Sequence, residues 1–244
     1  MYLSRLILNQ ASRSVRRDLA DCHDMHRTVM RAFPEKADLQ RGVRSHHGVL
    51  YRLDLNTRKG SVVLYVQSQV KPDWSKLEAG YLSETGGNSV NLACKLLTDK
   101  YEQITSGQVL RFRLRANPTK KIETKTGPDG RRRNGRRVDL RREEDQIAWL
   151  HRKSMAGGFT LLTVRAVPAL AEVQVVPEPN VMSLSNSGQA TGQRRQQQLT
   201  FGAVSFEGHL CVTDLKLFKK ILAEGVGPGK AYGFGLLSVA PPGE

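Results

Sequence analysis

The stretch DCHDMHR, residues 21–27, sets two imidazoles, a guanidinium and two carboxylates within one short segment. His23 and His26 are three positions apart, so a helix over this stretch brings both to one face. An imidazole with its ordinary pKa near 6.5 is a base or an acid close to neutrality, and such a group typically speeds a proton transfer by about 10²–10⁴-fold. Arg27 adjoins the pair, and Arg16 and Arg17 lie one predicted helix earlier, where guanidinium forks could hold a phosphate. Two other readings of these residues stand beside this one. His26 alone could be an ordinary polar residue on a surface helix. Asp21, His23, Asp24 and His26 could also be taken as a ligand cluster, since carboxylate and imidazole together suit transition metals. Successive helical turns point the aspartates partly away, however, and no His-x-x-x-His pair or acidic cluster completes a coordination sphere. The spacing favours proton transfer with no metal and no cofactor.

A second unusual segment closes the chain. GVGPGKAYGFG, residues 225–235, holds five glycines and one lysine. Ordering glycine is costly, so such density implies positive φ or a close backbone approach. It is not a dinucleotide fingerprint, because Lys230 and Tyr232 stand where the third glycine would be. It is not a Walker loop, because Glu224 occupies the first glycine position and Ala231 the Ser/Thr position. Glycine turns do form anion-binding nests, which makes Gly227, Gly229 and Lys230 candidate phosphate contacts. A tight helix-to-strand turn would account for Gly225 and Gly227 but leaves the others unexplained.

Charge identifies the class of partner. The 244 residues carry 38 basic and 23 acidic side chains, a net +15. Residues 1–60 have 12 basic against 6 acidic, and residues 111–153 have 15 against 6, which accounts for the whole excess. A concentrated basic field points to a polyanion, nucleic acid first and an anionic membrane surface second. The membrane alternative needs a basic amphipathic helix, which 111–153 does not offer. A solvated face kept for solubility would not favour arginine over lysine as both patches do. Arg111, Arg113 and Arg115 share one face of a strand, and the run RRRNGRR supplies Arg131, Arg132, Arg133, Arg136 and Arg137; all eight are candidate contacts to a nucleic-acid backbone. Cys22, Cys94 and Cys211 are far apart and form no Cys-x-x-Cys pair, so neither a disulfide framework nor a zinc site is expected. With no apolar run near ~18 residues and no signal-peptide layout, the expected location is cytoplasmic.

The elements that must position these residues follow from periodicity. Residues 2–9 read as a strand, 12–19 and 21–33 as helices, the second with Met25, Val29 and Ala32 or Phe33 facing inward. Strands are predicted at 48–55 and 61–70, a short helix around 92–101, and a clear strand at 108–118. The order to that point is β-α-β-β-α-β, a ferredoxin-like half. Residues 119–141 read as a basic loop or ribbon, 143–154 as a helix, 159–166, 171–176, 199–206 and 209–213 as strands, 214–223 as a helix and 235–240 as the last strand. An opening strand for this half is placed near 136–140, and 177–198 has the composition of a flexible loop. The expected fold class is α+β, two tandem ferredoxin-like domains spanning 1–117 and 118–244. His46, His47 and His151 are expected at the surface.

Five segments in order carry a resemblance. The opening MYLSRLILN, the helix DCHDMHRTVMRAFP, the strand LRFRLRANP, the segment QIAWLHRK and the ending GVGPGKAYGFGLLSVAP together resemble the CasE family, a branch of the RAMP proteins. These are the repeat-processing endoribonucleases of type I-E CRISPR systems. The resemblance implies two ferredoxin-like domains, a stem-loop repeat RNA as substrate and metal-independent cleavage at the base of the stem. It also implies an enzyme, monomeric when isolated, that stays on its product as a subunit of the Cascade complex. The family's catalytic histidine lies in a Tyr-x-x-His pattern on the first helix pair, matched here by His23 and His26. His26 fits; His23 stands where the tyrosine is usual. Lys230 falls in the family's glycine-rich signature. RNA brings its own nucleophile, so a base, an acid and charge stabilisation suffice to set the 2′-hydroxyl on its phosphate. The runner-up is a non-catalytic RNA-binding RAMP subunit, for which the basic surface alone would serve.

Overall fold

The computed structural model describes residues 1–34, 43–56, 60–84, 92–122, 136–164, 167–186 and 196–242. The first half begins with β1 (Tyr2–Leu8), followed by α1 (Arg13–Ala20), α2 (Cys22–Met30) and a single turn, α3 (Val43–His46). It continues through β2 (Leu50–Asn56) and β3 (Ser61–Ser68) to β4 (Ala93–Leu96) and α4 (Thr98–Glu102). The strands pair antiparallel in the order β2-β3-β1-β4, with Leu6 and Leu53 both opposite Leu64. Alternation along β1 sends Ser4, Leu6 and Leu8 inward, where Val15 of α1, Met25 and Val29 of α2 and Phe33 just beyond it cover them. Trp74, in a 3-10 turn between β3 and β4, seals this core and donates its indole N–H to the Ser4 hydroxyl at 2.9 Å.

The second half starts with β5 (Val109–Ala116) and a hairpin of β6 (Thr119–Ile122) with β7 (Arg136–Asp139). Then come α5 (Glu143–Ala156), β8 (Phe159–Leu161), β9 (Thr163–Val164), β10 (Val167–Ala171), β11 (Val173–Asn186), β12 (Gln196–Val212), α6 (Leu215–Glu224) and β13 (Leu237–Ala240). The sheet order is β11-β12-β5-β13, with β8 on the far end of β12. Phe112, Leu114, Phe206 and Leu210 face Trp149 and Leu150 of α5 and Phe218 and Leu222 of α6. The two sheets therefore repeat one topology: the first and third strands of each half are central, the second and fourth are edges. That is the ferredoxin-like βαββαβ order, and the chain is a tandem of two such units.

The expectation that Val109–Ala116 closes the first half is overturned: this strand opens the second, pairing with β12 and β13. Its alternation marks one apolar face, which either sheet would accept. The strand placed at 136–140 is instead an arm of the β6–β7 hairpin, and the first sheet closes on Ala93–Leu96, read earlier as helix. On this pairing we propose that the halves divide in the connector 103–108 rather than at Pro118. Residues 177–198 were expected to be a loop. Their described part continues β11 and β12 as a long ribbon with Asn186 opposite Gln196. Val181 and Met182 are adjacent in a stretch otherwise rich in Ser, Asn, Gln and Gly, so it carries no period-two hydrophobic signal and its composition reads as a linker. His47 is buried rather than exposed, its ring 5.9 Å from that of Phe33 and 3.1 Å from the Pro34 carbonyl.

Candidate active site and RNA interface

The Asp21 carboxylate starts α2 by accepting the His23 amide at 2.8 Å, a true N-cap. Cys22, Met25 and Val29 then turn inward. This rotation leaves His23 exposed and sets His26 at the edge of the core, with its Nδ1 buried and unpaired among the described residues. Burial lowers the His26 pKa to about 4, helped by the positive charge of Arg44 and by His23. The free imidazole is thus neutral at pH 7, the form a general base requires.

Three elements meet beside it. The buried Tyr51 of β2 donates its hydroxyl to the Ala231 carbonyl at 2.8 Å and also lies 3.4 Å from the Cys22 carbonyl. One phenol thereby ties β2, the start of α2 and the glycine loop. A 3-10 turn, Lys230–Tyr232, packs against both α2 and β2. All five glycines of the loop have φ between 74° and 87°. They are also sites of close protein packing. A Cβ at Gly227 would lie 2.8 Å from the Trp149 ring, and one at Gly233 would lie 3.0 Å from Tyr51. The turn thus accounts for all five glycines, contrary to the expectation that only two would be explained. The space spared at Gly227 and Gly229 is filled by Trp149 and Phe234, so glycine density by itself carries no evidence of a ligand.

Lys230 is half-buried, its pKa lowered by burial and by the charges of Arg44 and Lys153, against the opposing Glu224. Arg44 shares with it a cavity of about 440 Å³ and is itself half-buried, donating to the Val49 carbonyl at 3.0 Å. Arg44 is the site residue that sequence reading missed. It lies 18 positions from His26, on a one-turn helix with no motif, and only the fold brings it within electrostatic reach of His26.

The other candidates divide. Arg16 is exposed on α1. Arg17 is half-exposed but paired with the buried Asp18 at 2.9 Å, a carboxylate that also accepts the Tyr81 hydroxyl at 2.8 Å. Arg27 is exposed and paired with Asp24, which Arg17 approaches at 3.8 Å. Asp21 and Asp24 are thus committed to a cap and to arginines. The arginine row on β5 is not an open face. Arg115 is buried, 2.6 Å from Glu178 and over the Phe234 ring; Arg113 bridges Glu207 at 3.1 Å and Asp54 at 3.3 Å. Only Arg111 is mainly exposed, 3.6 Å from Glu207. Arg113 reaches across to Asp54 of the first sheet, while Arg115 is held by Glu178 within the second; periodicity could not pair the strands that carry these carboxylates. Arg137 is exposed on β7, donating to the Thr119 hydroxyl at 3.3 Å. Arg131, Arg132 and Arg133 lie outside the described residues, as does the Arg136 side chain.

The low His26 pKa has a measurable consequence. An unfolded histidine near 6.5 binds a proton that the folded one, near 4, refuses. The folded state therefore has its full advantage above pH 6.5, loses it as pH falls through the window from 6.5 to 4, and loses no more below that. Its full size is about 3 kcal/mol for 2.5 pH units, reduced by the solvent that reaches the ring. Thermal midpoints measured from pH 7.5 to 4.5 should fall more steeply in wild type than in His26→Gln. Parallel curves would contradict a buried neutral imidazole.

The chain matches the family model described as CRISPR associated protein over residues 1–241. It is 37% identical over 242 residues to the CRISPR-associated endoribonuclease Cse3 of Thermus thermophilus, covering 99% of this chain and all of that one. It is 31% identical over 244 residues to the CRISPR system Cascade subunit CasE of Escherichia coli, again covering 99% of this chain and the whole relative. Among solved structures, CRISPR endoribonuclease Cse3 bound to a 19-nucleotide RNA superposes with a TM-score of 0.76 at 36% identity, covering 99% of this chain and 100% of that one.

Proposed function

The chain belongs to the CRISPR-associated protein family, and from that premise we propose that it is the endoribonuclease that cuts CRISPR precursor RNA at the base of the repeat stem-loop. It then stays on the guide RNA as a Cascade subunit. The observation that carries this reading is the full-length relationship to a named endoribonuclease, 37% identical over 99% of the chain. The family's histidine position is filled by His26, whose environment keeps it neutral.

In this reading neutral His26 takes the proton of the 2′-hydroxyl, whose oxygen attacks the adjacent phosphate in line. The P–O5′ bond breaks and the leaving 5′-oxygen takes a proton from solvent, giving a 2′,3′-cyclic phosphate and a 5′-hydroxyl, while the His26 imidazolium returns its proton to solvent. Arg44 and Lys230 face one cavity and oppose the charge that builds on the phosphoryl oxygens. Their partial burial strengthens that effect, since charges act over a lower effective dielectric there. His23 replaces the family's tyrosine as a supporting hydrogen-bond donor. Arg16, Arg27 and Arg111, with the run at 131–137, hold the RNA backbone and set register rather than sequence. Arg17 and Arg113 contribute field from within ion pairs. A reducing cytoplasm fits three cysteines that stay free, and among the described residues no helix is long and apolar enough to cross a membrane.

The deciding experiment incubates the protein with repeat hairpin RNA in excess EDTA. Cleavage to a cyclic phosphate is expected at an undiminished rate, because the proposed chemistry draws only on side chains. Activity lost in EDTA and restored by a divalent ion would defeat the mechanism. Binding without any cleavage would favour the non-catalytic RAMP subunit.

A further inference from the structure

Lys230 lines two cavities. One is the cavity it shares with Arg44, whose charge reaches His26; the other, of about 430 Å³, lies between α5, α6 and the glycine loop. Four cations line the second cavity: Arg137 from β7, Lys153 from α5, Lys220 from α6 and Lys230 itself. One carboxylate, Glu224, lines both. These groups come from four separate elements, so only the fold gathers them. Among the described residues no ion pair within 4.0 Å links Glu224 to any of the four cations, so most of the cluster's charge is uncompensated. The Lys230 pKa is lowered first by burial and then by Arg44, with Lys153 adding a smaller push in the same direction. Lys153 also lies over the Trp149 ring, 5.8 Å from its centre, which holds the ammonium toward the loop. Like charges held together cost stability that an anion restores.

We propose that this second cavity binds a phosphodiester of the single-stranded RNA flanking the cleaved bond, so that the strand passes over Lys230 from one cavity to the other. The inference rests on the RNA-cleavage reading given above. Size selects the single strand: about 430 Å³ is the scale of a small-ligand site, which admits a nucleotide-sized group and not the width of a paired stem. Apolar walls from Leu217, Ile221 and Pro228 offer a base a dry surface next to the cations. Lys153 and Lys220, neither marked by any sequence motif, become the residues that read the presence of a flank.

The test pairs the variant Lys153→Gln/Lys220→Gln with two substrates, a repeat hairpin that ends one nucleotide beyond the cleaved bond (the trimmed hairpin) and the same hairpin with longer single-stranded flanks. Both lysines project from helix surfaces and neither takes part in the proposed chemistry, so single-turnover cleavage at saturating protein should be unchanged. Affinity for the flanked RNA should fall about 5–10-fold, and its log–log salt slope should drop by ~1.4, near 0.7 for each lost single-strand contact. Affinity for the trimmed hairpin should stay within about two-fold. Equal weakening on both substrates would assign the lysines to the stem, and no weakening on either would leave the cavity without a role in RNA binding; each overturns the proposal. Wild-type protein with the trimmed hairpin keeps the two levels apart. If it neither binds nor cuts, the RNA reading itself fails; if it does both and the double variant shows no flank dependence, only the second cavity is refuted.

Discussion

His26→Ala is expected to reduce single-turnover cleavage of a repeat hairpin by about 10²–10⁴-fold while leaving hairpin affinity within a few-fold of wild type. The asymmetry follows from where the imidazole acts. It exchanges a proton in the transition state and has little charge to offer the ground state, because its pKa near 4 keeps it neutral at pH 7. Binding energy comes from the guanidinium and ammonium groups around it, which the substitution leaves in place. Stability should not confuse the result, since removing a buried, unpaired ring nitrogen relieves a cost. The measurement is a pair of numbers, a rate at saturating protein and a dissociation constant at fixed salt. Should both collapse together, His26 would belong to recognition and the base would have to be found elsewhere.

The largest expected loss of stability is at Arg52, which no motif marks. Its side chain is 4% exposed and forks onto Asp54 at 2.7 and 3.2 Å. The same guanidinium donates to the carbonyls of Arg113 and Leu236 at 3.2 and 3.4 Å and to the Ser238 hydroxyl at 2.9 Å. It thus fastens β2 of the first sheet to β5 and β13 of the second. Arg52→Ala leaves a largely buried carboxylate with Arg113 alone, and two carbonyls without this donor. Breaking a buried, multiply bonded ion pair from one side typically costs about 3–5 kcal/mol. Urea midpoints for wild type, Arg52→Ala and Arg52→Lys would measure it. Lysine should recover only part, since an ammonium cannot reproduce the planar fork. An alanine variant as stable as wild type would mean that Arg52 adds nothing net to the joint between the sheets.

Much of this protein follows from local pattern. The cap at Asp21, the inward stripe of Met25 and Val29 and the placing of His23 and His26 on one helix need only period and residue type, and the helix forms as read. The apolar alternation of β5 is equally local. So is the class of partner, because net charge is a sum over the chain and does not depend on the fold. Family membership was also legible, carried by five short segments in order.

Tertiary structure decided whatever depends on which neighbour a face meets. The alternation of Val109–Ala116 specifies an apolar side but not a sheet, and hydrogen bonds to β12 and β13 put it in the second half. For the same reason Arg113 and Arg115, outward by period, turned out to be held in ion pairs by Asp54, Glu207 and Glu178. The glycines of 225–235 announced positive φ, but only the packing of Trp149, Phe234 and Tyr51 against them showed what they make room for. Arg44 joins His26 through long-range folding, and Lys153, Lys220, Arg137 and Lys230 become one cluster only when α5, α6, β7 and the last loop converge. The physical division is between properties set within a few residues, which the backbone's periods encode, and the sharing of space and field among distant segments, which nothing shorter than the whole fold can specify.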